Sequence, residues 1–313
     1  MSAPPGETIV RTLAAMGTEL SIEVRATDRP AALQASELVY RAIRDTEARL
    51  STWRDDSELS RLNAGEKPTA GFPSARTLDE IEQAFRWAQA TEGAFHPGAG
   101  RLVDLYDLRG PGHWPTDEEL AELESHLVLL RETLELNPGL SFESGIRLEE
   151  GAFAKGAALD AALEALDNQP GVHSALIDFG GELARFGEAL EQPVPVSAAN
   201  DRERVALEVA SRAPHVAVTS NVVRGREVDG REVGHVVDPR LGRPVDSPFS
   251  VTVFAESGLA ADALSTALFV LGPDAGLPLV ESLPNVEALF LPPVESALRA
   301  SAGLTPEAIL GLR

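Results

Sequence analysis

The chain of 313 residues contains no cysteine. That absence excludes disulfides, thiolate metal sites, a cysteine nucleophile and a lipid-modified N-terminal cysteine. Positive charge is also short: 27 basic residues face 49 acidic ones, a net charge of −22. Each neutralised phosphate of a nucleic acid needs a lysine or arginine, so nucleic acid is not expected as a partner. The acids are spread along helical segments without forming a tail, which reads as a solvated surface. Lysine is almost missing, with only Lys67 and Lys155, while arginine is abundant. This reads as a compositional bias of the source. No apolar run approaches the length that spans a bilayer. The opening Met1-Ser2-Ala3-Pro4-Pro5-Gly6-Glu7 has neither the basic nor the apolar part of an export signal. The expectation is a soluble, cytoplasmic protein with no membrane insertion. Repeats and low-complexity linkers are lacking too.

The length allows a large core in one big domain or two closely joined ones. Apolar content of 43% and charged content of 24% are those of an ordinary globular protein. Thr12 to Val24 alternates as strands around Met16-Gly17-Thr18. An amphipathic helix follows over 31–50, with Leu33, Leu38, Val39, Ala42 and Ile43 on one stripe. Thr77 with Glu80, and Thr116 with Glu119, have the spacing of capping boxes, opening helices through Ala90 and His126. A further helix covers 152–167. Strands are expected at 174–179, 205–209, 216–219, 235–237, 250–255 and 286–291. Asp229-Gly230 forms the turn of a hairpin, and a helix covers 258–270. Helices and strands come in blocks, without strict βαβ alternation. The fold class expected is α+β, mainly antiparallel sheets flanked by helices. One domain over 1–313 is expected, with any subdomain division near 137–144.

The densest chemistry lies between Gly234 and Leu268. Asp262 and Thr266 are four apart in a helical pattern, so both can offer oxygen to one ion. The alternative is that Asp262 stabilises the helix dipole while Thr266 bonds back to a carbonyl. His235 precedes an Asp-Pro turn, where it could serve as a base or simply bond Asp238.

Several segments, in order, resemble those of the FAD:protein FMN transferases, the ApbE family. They are Ala15-Met16-Gly17-Thr18; Leu50-Ser51-Thr52-Trp53 with Ser57-Glu58-Leu59-Ser60-Arg61-Leu62-Asn63; Gly93-Ala94-Phe95-His96-Pro97; Glu149-Glu150-Gly151-Ala152-Phe153-Ala154-Lys155-Gly156; Ile177-Asp178-Phe179-Gly180-Gly181-Glu182; and the 234–266 stretch. The resemblance implies an ApbE-like, T-fold-like architecture. It also implies an enzyme that takes FAD and Mg²⁺, moves FMN onto a Thr or Ser hydroxyl of an acceptor flavoprotein, and releases AMP. By the same resemblance, Asp262, Thr266 and the Ala152 carbonyl hold the metal, and His235 and Asp262 are catalytic. Met16, Trp53, Ala94, Phe95, His96, Glu149, Lys155 and Val236 contact FAD. Trp53 could stack on a ring, Glu149 could accept from ribose or adenine, and Lys155 could pair with a phosphate.

The chain departs from the family pattern on the flavin side. Phe95-His96-Pro97 replaces Phe-Asp-Pro, and Gly98 stands where Thr is common. Glu149 and Glu182 stand where Asp is usual. Asn221, Val222 and Val223 follow Thr219-Ser220 in place of a glycine and an aromatic, and Gly234 precedes His235. The metal and base positions are kept. This leaves two further readings: an Mg²⁺-dependent FAD pyrophosphatase, which uses water as the acceptor, and a flavin-binding protein without catalysis.

Overall fold

The computed structural model describes residues 6–135, 146–199, 201–220, 226–228, 230–293 and 297–311. The chain opens with β1 (Glu7–Ala15) and β2 (Thr18–Ala26), joined by the two-residue turn Met16-Gly17. Both turn residues have positive φ, 45° and 72°, as the right-handed twist of a tight hairpin demands. Met16 is not a residue that favours this conformation, and its N–H is held by Glu47 Oε1 at 2.8 Å.

Helix α1 (Arg29–Leu50) is capped by Asp28 and buries Ala32, Ala35, Val39, Ile43 and Leu50. Leu33, expected on the inward stripe, is 45% exposed; the small residues Ala32 and Ala35 let the helix roll closer to the sheet. Then come α2 (Glu58–Asn63), α3 (Ala75–Ala90), α4 (Gly100–Leu105), α5 (Asp117–Glu135) and α6 (Ala154–Glu164). Sequence reading missed α2 and α4, each under two turns long. It also misplaced the start of α3. Ser74 is the cap, accepting from Thr77 N–H, while Glu80 is buried in an ion pair with Arg49. The second box is as expected: Thr116 and Glu119 exchange bonds of 2.8 and 3.3 Å. Helix α5 runs on to Glu135, well past His126.

The strands that follow are β3 (Val172–Asp178), β4 (Glu182–Gly187), β5 (Val194–Ala198), β6 (Asp201–Val209), β7 (His215–Thr219), β8 (Arg226–Val228), β9 (Arg231–Val233), β10 (Val237–Asp238), β11 (Arg243–Pro244) and β12 (Ser250–Ala255). Helix α7 (Gly258–Glu281), β13 (Val286–Leu291), β14 (Arg299–Ala300) and β15 (Ile309–Leu310) complete the chain. Strands β8 and β9 pair as the expected hairpin, although Asp229 of its turn lies outside the described residues. So do the whole segment 137–144, where a subdomain division was expected, and Asn221 to Val223.

Eight strands form one sheet in the order β1-β2-β3-β4-β7-β12-β13-β14, with every pairing antiparallel. Helices α1, α6 and α7 cover one face. Across the other face of β7, β12 and β13 lies a small sheet of β15, β6 and β5. Alternation along the strands sorts the two cores. Ala217, Val251 and Val253 pack toward α7, while Val216 and Phe254 pack toward Val196 and Leu207. Strand β12 is therefore buried along its whole length, Ser250 and Thr252 included.

Helix α7 corrects an expectation. It is long and apolar enough to cross a bilayer, because the helix resumes after Gly272, whose φ of 69° interrupts it just before Pro273. Its apolar character is used inside the protein, where Leu259, Leu264, Leu268 and Phe269 are buried against the sheet and α6.

Candidate active site

Helices α6 and α7 meet at two glycines. A Cβ on Gly156 would lie 2.1 Å from the Gly258 carbonyl oxygen, and one on Gly258 would lie 2.4 Å from that of Gly156. Only bare backbone permits this approach. One turn along α6, Asp160 accepts from the N–H groups of Gly258 and Leu259 at 2.6 and 2.9 Å and from Ser257 Oγ at 3.0 Å. One helix thus caps the other, satisfying N-terminal donors that would otherwise be orphaned. Buried His215 contacts the same carboxylate at 3.2 Å.

The crossing brings Asp262, on the second turn of α7, against the start of α6, where Asp262 Oδ2 accepts from Gly156 N–H at 3.0 Å. Burial, and then the charge of Glu182, push the Asp262 carboxyl well above the ordinary carboxylate range; Lys155 and the Gly156 N–H oppose this. The hydroxyl that bonds back to the Asp262 carbonyl is that of Ser265, at 2.9 Å, and it also meets Thr219 Oγ1 at 2.8 Å. Thr266 lines the cleft beyond. Lys155 is ion-paired to Glu182 Oε1. Glu182 Oε2 is buried without a hydrogen-bond partner among the described residues. Gly180 and Gly181, both at positive φ, turn the chain from β3 into β4 and bring Glu182 here.

The opposite wall is assembled from three chain segments. Asn63, at the end of α2, exchanges bonds of 2.9 and 2.8 Å with the Leu148 backbone. Glu149 N–H donates to the Pro97 carbonyl at 2.7 Å, and Gly100 N–H to that of Arg147 at 3.0 Å. Those contacts hold Glu149 and Glu150 beside Phe95 and His96. Arg109 Nη2 bonds both Glu149 oxygens at 2.7 and 2.6 Å, Glu150 at 3.3 Å, and Thr52. The guanidinium lies 5.0 Å from the centre of the Trp53 ring, which is 70% exposed at the rim. Burial, and then Glu150, push the Glu149 carboxyl upward against the pull of Arg109.

His96 is buried and saturated. Its Nδ1 accepts from Gly98 N–H at 2.9 Å, while Nε2 faces the Leu130 carbonyl at 3.2 Å and Thr133 Oγ1 at 3.1 Å. Burial lowers its pKa to about 4, so the ring is neutral. A Cβ on Gly98 would sit 2.4 Å from Ile146 and 3.0 Å from the imidazole. The His96 and Gly98 departures therefore go together: Ile146 and, less closely, the ring fill the space a threonine would need, and the ring ties the 96–98 turn to α5.

These walls enclose a cleft of about 500 Å³. All residues singled out from the sequence line it: Met16, Trp53, Ala94, Phe95, His96 and Glu149 from one side, and Ala152, Lys155, His235, Val236, Asp262 and Thr266 from the other. His235 lies in a bend ahead of β10, not in the expected strand, because pairing begins only at Val237 with Pro244. The Asp238 carboxylate is engaged by Arg240, at 2.8 Å to Nη2 and 2.9 Å to the backbone N–H. Sequence reading gave no site role to Arg109, nor to Glu150, Thr219 and Ser220, which it noted only as parts of motifs; all four line the cleft. An arginine in a Leu-Arg-Gly-Pro loop carries no signal in an arginine-rich chain.

A family model described as the ApbE family matches residues 16–290. The FAD:protein FMN transferase of Treponema pallidum (strain Nichols) is 32% identical over 301 residues, covering 88% of this chain and 82% of its own. The protein of the same name from Escherichia coli (strain K12) is 28% identical over 274 residues, covering 83% and 77%. Among solved structures, the flavin transferase ApbE from Vibrio cholerae matches with a TM-score of 0.75 at 25% identity, covering 96% of this chain and 99% of that one. The ApbE protein of Thermotoga maritima shares the fold, with a TM-score of 0.77 at 23% identity over 95% and 98%. This chain belongs to the ApbE family.

Proposed function

We infer that the chain is a Mg²⁺-dependent FAD:protein FMN transferase, which moves FMN from FAD to a Thr or Ser hydroxyl of an acceptor flavoprotein and releases AMP. The observation that carries this reading is convergence. Residues as far apart in sequence as Met16 and Thr266 close on one cleft, and the relatives that match most of the chain bear this activity in their names.

The residues present fit a magnesium ion. Two buried carboxylates, Asp262 and Glu182, face each other electrostatically with Lys155 as the nearby cation, and Glu182 Oε2 is unsatisfied. The described residues hold no cluster of three or more His, Asp or Glu ligands. That suits Mg²⁺, which takes one or two carboxylates and completes its shell with water and substrate phosphates. Asp262, Thr266 and the Ala152 carbonyl would hold the ion. When bound, it would neutralise phosphate oxygens and acidify the acceptor hydroxyl.

The remaining work falls to the protein. The acceptor oxygen forms a bond to the FMN phosphorus, the bond between the two phosphates breaks, and AMP departs. His235 takes the acceptor proton. The Glu149–Arg109 wall and the Met16 turn orient the dinucleotide, which supplies much of the rate by placement alone. The His96 and Gly98 departures are accounted for by packing on α5, so they do not favour a non-catalytic flavin binder.

The purified chain should be incubated with FAD, Mg²⁺ and an acceptor carrying a Thr in an Asp-x-x-Ser-Gly-Ala-Thr context. AMP with a flavin-sized mass gain on the acceptor is expected. AMP without that gain would replace transfer by hydrolysis, and FAD bound without AMP would sink both.

A further inference from the structure

The loop after α4 is built around one side chain. Tyr106 is buried, and its hydroxyl donates to the Gly242 carbonyl at 2.9 Å. His113 N–H closes the loop onto the Tyr106 carbonyl at 2.9 Å. Inside it, Asp107 has a left-handed φ of 47° and accepts from Gly112 N–H at 3.2 Å. A Cβ on Gly110 would lie 2.4 Å from the Asp107 carboxylate. A non-glycine residue at positive φ is costly and persists where the surroundings over-determine it. At the head of this loop stands Arg109.

The guanidinium is anchored by one nitrogen. Every bond it makes to Thr52, Glu149 and Glu150 uses Nη2. Among the described residues, none accepts from Nε or Nη1, and the side chain is 21% exposed on the cleft. Among the described residues and apart from histidines, the cations lining the cleft are Arg109 and Lys155, and Lys155 is committed to Glu182. A doubly charged pyrophosphate entering between Glu149, Glu150, Glu182 and Asp262 needs a donor with spare N–H groups. Guanidinium supplies these in a fixed fork.

We propose that Arg109 binds substrate directly: with Nη2 fixed on Glu149, it donates its remaining N–H groups to a phosphate oxygen of FAD, setting affinity for the dinucleotide. The assignment rests on the transferase reading only in taking FAD as the ligand.

The test is equilibrium dialysis of the full chain with FAD, ADP, adenosine and riboflavin, for wild type, Arg109→Gln and Arg109→Lys. Gln should weaken FAD and ADP binding about tenfold to a hundredfold, the worth of a charge-assisted hydrogen bond. Adenosine and riboflavin should change by less than about twofold. Lys should recover only part of the FAD affinity, since its point charge attracts phosphate but lacks the fork that holds Glu149 and phosphate together. In turnover, KM for FAD should rise in the Gln variant, with a smaller fall in kcat as the dinucleotide loses part of its placement. Equal losses for adenosine, or unchanged FAD affinity in the Gln variant, at an unchanged thermal midpoint would each overturn the proposal. Wild type that binds no FAD would instead remove the transferase reading, a result visible before any variant is compared.

Discussion

Each wall of the cleft is built around a carboxylate, buried at Asp262 and half-buried at Glu149, and the two are held by different kinds of partner. On the α6–α7 wall, Asp262 is fixed by a backbone N–H at a helix crossing where neither helix has room for a side chain. On the facing wall, Glu149 is fixed by the long arm of Arg109, itself leaning on exposed Trp53. Backbone at a helix crossing has one arrangement. A side-chain arm has rotamers, spends entropy to hold its pose, and can be exchanged residue by residue. The departures from the family pattern cluster accordingly: Glu149, His96 and Gly98 lie on the second wall, while His235, Asp262 and Thr266 are kept. Glu182 and Gly234, the latter next to His235, are exceptions; Glu182 is a longer acid on the first wall with one oxygen left without a partner among the described residues.

The sharpest way to break this comparison is to remove Asp262. Asp262→Ala should abolish Mg²⁺-dependent AMP release, a loss of at least about a thousandfold, with FAD still retained on the facing wall. Unchanged release would refute the first wall as the seat of the chemistry. His235→Ala should slow transfer by about a hundredfold or more while dialysis shows FAD binding within a small factor of wild type. Loss of FAD affinity alone would move His235 to the binding side. Gly156→Ala tests whether the crossing is as rigid as described. In an exposed helix this change gains about 1 kcal/mol, but here the new methyl meets the Gly258 carbonyl. A loss of about 3 kcal/mol in denaturant unfolding is expected, with turnover falling alongside. A stability gain would show that the helices slide apart easily.

The smallest effect separates the walls by pH. His96 titrates at about 4 in the folded chain, against 6.5 for a free histidine. Between those values the unfolded chain binds the proton first, so stability is complete above pH 6.5 and falls toward pH 4. Unfolding free energy should drop by about 2 kcal/mol between pH 7 and pH 5 from this group alone. Buried His126 and His215, both shifted downward by burial, add the same sign. His96→Asn should flatten the curve; an unchanged slope would mean the ring is not the neutral tie to α5.

Where sequence and structure agree, the signal was local and strong. The limits of β12 and β13 follow from short β-branched and apolar stretches, and the α5 cap from reciprocal Thr116 and Glu119. The misreadings arise from competition between equivalent signals. Ser74 and Thr77 are both cap formers three residues apart, and the earlier one wins because Glu58 supports Ser74 with a 2.8 Å bond. Leu33 fits the helical stripe, yet smaller Ala32 and Ala35 take the inward face. Gly272-Pro273 reads as a stop, although packing lets the helix resume after the break. As for the site, its membership was legible from motif order, but no sequence spacing brings Gly156 to Gly258 or Arg109 to Glu149. Those are products of tertiary closure.

The eight-stranded sheet ends on β1, nine residues with one side of its backbone unpaired among the described residues. Val10 is 61% exposed along it, while Arg11 is drawn back over α1 to Glu37 and the Tyr40 ring. Such an edge is a template for another strand. With a net charge of −22, two copies approaching edge to edge repel each other before their hydrogen bonds can form. Colloidal stability is therefore borrowed from surface charge, and salt, which shortens the reach of that repulsion, is the condition under which the open strand becomes sticky.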